Sequence, residues 1–264
     1  MPQEGTGFLP RILTIARNAF REAVRDRILY NLIVFVLLIT ASAIFLGELT
    51  GGQEARVIVN LGLSSILIFG TFISIFVGVS LVWKEIEKRT VYAIFAKPVS
   101  RGEFIIGKYL GLCLTLLVNI IVMGIGVTLA LFYVGGEVFV GAVWASILLI
   151  YLELTVVTAV AIMFSSFSTP ALSASLTFLV FVIGHFSSSV RELAIGIRSD
   201  LSKFVLDAIY YILPNFSHFS FITETAGGLT VPAPMAGLAA VYAVVLNTVL
   251  LSVTVLIFSR RNFK

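Results

Sequence analysis

Long apolar runs separated by short polar segments dominate the pattern of this chain. A membrane-spanning helix needs roughly 20 apolar residues, and six runs approach or exceed that length. We predict spans at about residues 30–46, 57–83, 109–134, 140–164, 171–190 and 235–258. The first run is short and the second is long for a hydrocarbon layer of about 30 Å, so we expect tilt or an interfacial end in the second. The pattern predicts an all-α integral membrane protein, with residues 1–264 forming a single transmembrane domain.

A different pattern precedes the first run, at residues 10–28. Apolar residues recur there at helical spacing, and charged residues fall on the opposite side. Arg17, Arg21 and Arg25 are four residues apart, so they repel one another unless something anionic lies alongside. An interfacial helix lying on anionic lipid headgroups satisfies both faces. A solvated helix packed on a partner protein is the alternative.

Residues 1–27 lack the apolar core and small-residue cleavage site of a signal peptide. We therefore expect the first apolar run to act as an uncleaved signal anchor.

Composition and charge agree with a membrane protein. The chain is 59% hydrophobic and only 12% charged, whereas soluble domains carry about 25% charged residues. Six spans with both termini inside place fourteen of the eighteen Lys and Arg residues on one side. That distribution follows the positive-inside rule and predicts a multi-pass protein of the cytoplasmic (inner) membrane with both termini cytoplasmic. The basic residues cluster at the ends of apolar runs, so we expect no nucleic-acid partner.

Two segments allow further expectations. The link at residues 165–170 carries no charge, so residues 165–190 could instead form a re-entrant element. Residues 187–234 make the longest external region, in which Leu201–Leu213 predicts an amphipathic helix in the outer leaflet interface.

The internal loop at residues 84–108 is the most informative stretch. A dense charge cluster opens it, a short apolar run follows at Val91–Ala96, and Pro98 and Arg101 come next. A loop of this kind is typical of a docking surface for a soluble partner. A solvated loop that obeys the positive-inside rule is the alternative.

The segment Gly102–Lys108 fits the opening of a Walker A phosphate loop, but it does not predict nucleotide binding. Tyr109 stands where a magnesium-binding Ser or Thr is needed, and the required preceding strand is missing. Active transport would therefore take its energy from a partner or from an ion gradient.

Glu153 is the one ionisable residue near the centre of a predicted span. Such a carboxyl costs about 2.5–3.5 kcal/mol on insertion scales and usually faces a cavity or a partner. It could contact substrate, relay protons or link two copies, or it could be a structural carboxyl bonded to a Thr or Tyr. We expect His185 and His218 near or beyond the outer membrane face, without the neighbouring ligands of a metal site.

The close approach of helices is predicted at a GxxxG pair, Gly107 and Gly111, at the start of the third span. A second face of small residues lies in the second span, at Gly62, Gly70, Ser74 and Gly78.

The internal loop resembles the cytoplasmic signature of ABC-2 type permeases. The matching residues are Glu85, Glu87, Arg89 and Thr90, then Pro98, Val99, Ser100 and Arg101, then Gly107, Lys108 and Tyr109. Within that superfamily the chain most resembles the six-span branch containing the nitrous oxide reductase maturation permease and the gliding-motility permeases. The segment Ile212–Phe219, the basic N-terminal helix and the basic C-terminus add to the likeness.

The resemblance implies a six-transmembrane-helix ABC-2 permease bundle with an N-terminal amphipathic interfacial helix. A coupling helix in the loop would sit in a groove of a separate ATPase subunit. Two permeases, forming a homodimer or a dimer with a close paralogue, and two ATPases would form the working unit. Glu85, Glu87, Arg89 and Thr90 would mark the coupling element, and Pro98 and Arg101 would fix the return into the third span. ATP and Mg²⁺ would be bound by the partner ATPase, with no cofactor on this chain, and the family implies export.

Two other function classes are weighed against the permease. An ion-gradient-driven secondary transporter or channel would use Glu153 as its coupling carboxylate and would usually carry internal repeats, which the sequence lacks. An integral membrane enzyme acting on lipid would need polar residues clustered at one interface, and the sequence offers none.

Overall fold

The computed structural model describes residues 7–24, 27–87, 100–187 and 213–260, together with residues 192, 204, 206, 207, 210 and 211. Every regular element in these ranges is helical. The α-helices are α1 (Phe8–Val24), α2 (Arg27–Glu48), α3 (Glu54–Glu87), α4 (Arg101–Tyr133), α5 (Val140–Ser165), α6 (Pro170–His185), α7 (Ile222–Ala226) and α8 (Ala233–Arg260). Short 3₁₀ turns lie at Glu137–Phe139 and Phe216–His218.

Four stretches of the described residues are long and apolar enough to cross a membrane. They are Glu54–Leu81, Arg101–Tyr133, Glu137–Ser165 and Ala233–Arg260. The shorter apolar helix α6 covers most of the run predicted at 171–190, and α2 covers the run predicted at 30–46. The count of six spans stays a prediction.

The loop predicted at residues 84–108 is helical at both ends. Helix α3 continues to Glu87, and α4 begins at Arg101 instead of near residue 109. Ser100 caps α4: its hydroxyl accepts from the backbone N–H of Glu103, whose carboxylate accepts from the backbone N–H of Ser100 at 2.6 Å. This capping box starts the helix within a polar part of the sequence. A helix boundary predicted from hydropathy alone therefore falls too late in the chain.

Helix α5 lies at the centre of the bundle. It is apolar on all sides and packs against α3, α4, α6 and α8. Helix α8, in contrast, leaves large apolar side chains exposed along much of its length, among them Leu238, Val241 and Leu256. An apolar face of this kind suits contact with lipid tails, because lipid is as apolar as the side chains.

The two ends of the bundle differ in charge. One end, which we call the basic end, is formed by α1, the end of α3, the start of α4 and the end of α8. Its described basic residues are Arg11, Arg17, Arg21, Lys84, Arg101, Lys108 and Arg260. The opposite end holds the start of α3, the turn after α4 and helix α7, with Glu54, Arg56, Glu137 and Glu224.

Candidate functional site

Helix α1 packs directly on the first turns of α4. Its buried face consists of Ile12, Ala16, Ala19 and Ala23. A Cβ atom added at Gly111 would lie 2.5 Å from the carbonyl oxygen of Ala16 and 2.6 Å from the Cβ of Ala19. One added at Gly107 would lie 2.7 Å from the Cβ of Ile15. The Gly107–Gly111 pair therefore brings two helix backbones together, and its partner is α1.

Charged side chains connect the same two helices. The Lys108 Nζ lies 3.4 Å from the Oε2 of Glu22, and the Arg11 Nη1 lies 3.9 Å from the Oε1 of Glu103. The Lys108 side chain is only 5% exposed, whereas that of Glu22 is 45% exposed. A nearly buried ammonium is costly without an opposite charge, so this pair favours one position of α1 on α4.

Arg101 joins the start of α4 to the end of α8. Its guanidinium donates to the backbone carbonyls of Phe258 at 2.9 Å and of Ser259 at 2.5 Å. Carbonyls in the last turn of a helix have no partner within that helix, so an arginine can satisfy them. The ring of Phe104 stacks on that of Phe258 with centroids 5.9 Å apart.

Three helices are thus joined at the basic end. We call the residues that join these helices the basic-end cluster. They are Arg11, Glu22, Arg101, Glu103, Phe104, Lys108 and Phe258. Arg101 was expected to fix the return into the third span, and it also holds α8.

The other predicted coupling and surface residues fall in different places. Arg17 and Arg21 are exposed on the outer side of α1. Glu85 and Glu87 belong to the last turns of α3 at the basic end. Arg25, Arg89, Thr90 and Pro98 lie outside the described residues, so their predicted roles stay predictions.

Glu153 has a neighbour that the sequence did not indicate. Its side chain is 1% exposed in the middle of α5, and its Oε1 lies 3.4 Å from the Nδ1 of His185 at the end of α6. We expected His185 near or beyond the outer face, yet it stands beside the mid-helix carboxyl. The reason is that α6 packs antiparallel to α5 after a short turn. Because α6 has only 16 residues, it ends beside Glu153, in the middle of α5.

The alternative of a structural carboxyl bonded to a Thr or Tyr on a neighbouring helix stays a prediction, and the two hydroxyls nearest to Glu153 on α5 itself have other partners. The nearby Thr155 hydroxyl accepts from the side-chain amide of Asn247 on α8 at 3.0 Å. The Tyr151 hydroxyl donates to the backbone carbonyl of Cys113 at 3.4 Å.

The segment Asn215–Phe219 inserts between the helices close to His185. Phe216 and Phe219 are 0% and 1% exposed, and the backbone N–H of Asn215 donates to the hydroxyl of Tyr242 at 2.8 Å. The His185 ring centroid lies 6.1 Å from that of Phe216. This part of the region predicted at residues 187–234 is therefore buried among the helices, and its external location stays a prediction.

Gly184 makes this insertion possible, and its replacement by alanine should loosen the segment. The new Cβ would lie 2.6 Å from the carbonyl oxygen of Pro214 and would also overlap the ring of Phe216. Relieving this overlap should cost about 1–3 kcal/mol. A cysteine placed at Ser217 should then react with a maleimide roughly five times faster or more, because local opening becomes more frequent.

The control for this experiment is Gly141→Ala, since no atom lies within 4 Å of a Cβ added at Gly141. Equal labelling rates in the two variants would show that Gly184 does not hold the segment in place.

No group of three or more potential metal ligands occurs among the residues that the structure describes. His218 packs against the ring of Tyr242 with centroids 5.2 Å apart. Cys113 is buried within α4.

Long apolar helices around a buried central helix, with charges gathered at the ends, define a multi-pass membrane protein. The family model described as ABC-2 family transporter protein matches residues 13–263. The chain therefore belongs to the ABC-2 transporter family, whose members are the membrane components of ABC transporters. A comparison with curated proteins finds no match.

Proposed function

We propose that this chain is the permease subunit of an ABC exporter and that a separate ATPase subunit supplies its energy. Two copies of the permease bind two copies of the ATPase, and the basic end faces the cytoplasm. ATP and Mg²⁺ are bound by the ATPase. The family match over residues 13–263 is the observation that carries this proposal.

The geometry of the basic end supports docking of a soluble partner there. Helix α3 has 34 residues, which corresponds to about 51 Å, whereas the hydrocarbon layer measures about 30 Å. Its last turns carry Lys84, Glu85 and Glu87, and α4 begins with the charged residues Arg101 and Glu103. Residues 88–99, which belong to the coupling loop predicted at residues 84–108, connect these two helix ends, so this stretch of chain starts and finishes at the basic end.

Through the basic-end cluster, a partner bound at this end can transmit force to three helices of the bundle. A force on the segment before Arg101 acts on the capped start of α4, which is joined to α1 by ion pairs and to α8 by the Arg101 guanidinium. The three helices therefore move together when the ATPase dimer closes, and this movement opens the permease to one side. Arg17 and Arg21, exposed on α1, are free to bind anionic headgroups beside the ATPase.

Purification of the tagged chain from its native membrane in mild detergent tests the proposal. We expect a soluble ATPase to co-purify in a one-to-one ratio, with ATP hydrolysis in the complex. The triple variant Glu85→Ala, Glu87→Ala, Arg89→Ala should reduce the bound ATPase about tenfold, because a few central residues carry most of the energy of an interface.

A matched control removes the same charges from the opposite end: Glu54→Ala, Arg56→Ala, Glu137→Ala. This variant should keep the ATPase bound. A wild-type protein that repeatedly purified alone, without ATP hydrolysis, would contradict the proposal and direct attention to gradient-driven transport. Loss of the ATPase in both triple variants would argue against docking at the basic end.

A further inference from the structure

Glu153 and His185 face each other in the interior of the bundle. The Oε1 of Glu153 and the Nδ1 of His185 are both buried and, among the described residues, without a well-formed hydrogen bond. The backbone carbonyl of Phe181, one turn earlier in α6, also interacts with the imidazole. The Oε1 and Nδ1 atoms are 3.4 Å apart, which is a few tenths of an ångström beyond a normal hydrogen bond. The carboxyl is almost fully buried, whereas the imidazole side chain keeps 24% exposure.

The other elements packed around α5 bring no further charged group to this pair among the described residues. From α8 comes Tyr242, whose hydroxyl is bonded to Asn215, and His218 of the inserted segment packs on that tyrosine. On α4, Tyr109 and Cys113 lie on the side of α5 that carries Tyr151. The buried polar residues Thr71 and Ser74 in the middle of α3 carry no charge. Within the described part of the chain, Glu153 and His185 form an ion pair only with each other.

The chemistry of a carboxyl and an imidazole defines what the pair can bind. With one shared proton the pair is neutral overall, either as carboxylate and imidazolium or as carboxylic acid and imidazole. Without that proton the pair carries one negative charge inside an apolar bundle, where an uncompensated charge is costly. The ligand that this pairing of a carboxyl with an imidazole binds is a proton.

We propose that Glu153 and His185 form a proton-binding site that fastens α6 to α5. The bound proton completes a hydrogen bond between the two helices. Its loss leaves a net charge that favours separation of the end of α6 from α5. Because His185 and Gly184 also contact the inserted segment, that separation reaches residues Asn215–Phe219.

The histidine content of the chain allows a direct test. There are only two histidines, so ¹⁵N-histidine labelling gives two imidazoles that solid-state NMR can follow in lipid bilayers. His185→Gln identifies the His185 signals. In a shared-proton pair, Glu153→Gln should move the His185 titration midpoint by about one pH unit or more, because strongly coupled groups titrate together. Glu224→Gln, which changes a carboxyl in α7 in the same way, should leave the His185 midpoint where it is in the wild type.

A second measurement separates proton binding from a purely structural role. The double variant Glu153→Gln, His185→Gln retains hydrogen-bonding amides but has no titratable group at the site. The thermal stability of the wild type should change between pH 5 and pH 8, and the double variant should lose the part of this change that comes from the pair, even where its absolute stability differs. An identical His185 titration in the wild type and in Glu153→Gln would overturn the proposal, and so would an unchanged pH dependence in the double variant.

Discussion

Replacing Gly111 by alanine should destabilise the protein, although alanine normally favours a helix. The added methyl group would lie 2.5 Å from the backbone carbonyl of Ala16 and 2.6 Å from the Cβ of Ala19. A backbone atom cannot move aside as a flexible side chain can, so α1 must shift away from α4. We expect a loss of about 1–3 kcal/mol, which is typical of overpacking. Thermal unfolding in detergent micelles measures the change.

The control is Gly237→Ala in α8, where no atom lies within 4 Å of the added Cβ. Here the substitution should be neutral or should stabilise by up to about 1 kcal/mol, because alanine has the higher helix propensity. The opposite signs of the two changes are the diagnostic result. A stabilising Gly111→Ala would mean that α1 does not pack on this face of α4.

Reversing the charge of Lys108 should have an effect at least as large. Lys108→Glu would replace an ammonium that lies 3.4 Å from the Glu22 carboxylate by a second carboxylate, in a position that is only 5% exposed. Breaking a buried ion pair by changing one partner costs about 3–5 kcal/mol, and the half-exposed Glu22 moderates this cost. We expect the free energy of unfolding to fall by about 3 kcal/mol. Trypsin should also cleave faster after Arg17 or Arg21, because α1 detaches from α4.

The charge swap Lys108→Glu, Glu22→Lys tests whether the pair itself is responsible. Restoring opposite charges should recover at least half of the lost stability, as a double-mutant cycle would quantify. Arg56→Glu, an exposed charge reversal at the opposite end, should change stability by less than about 0.5 kcal/mol. Failure of the swap to rescue any stability would assign the effect to packing of the Lys108 side chain rather than to its charge.

The elements of this fold could largely be predicted from hydropathy. Apolar runs and helices agree within a few residues for α3, α5 and α8, because a helix in lipid must be apolar along its length. Where a helix continues into polar residues, the length predicted from hydropathy is too short. The start of α4 depends on a capping box at Ser100, which the sequence contains but which hydropathy ignores.

Partners across the bundle were much harder to predict than the elements. The pattern at Gly107 and Gly111 indicates a close helix approach, but it does not say that the partner is α1. Likewise, Glu153 and His185 are far apart in sequence, and their contact depends on how far α6 returns along α5. A connection through three-dimensional packing leaves no mark on the periodicity of either helix.

The contact between Arg101 and α8 also constrains the order of assembly during synthesis. The carbonyl of Phe258 follows Arg101 by 157 residues. At roughly 5–20 residues per second, a ribosome needs about 8–30 s to make that stretch. The packing of α1 on α4 can form early, whereas the start of α4 gains its contact with α8 only at the end of this interval. Nascent chains therefore pass through a stage in which the basic end of the protein is only partly assembled.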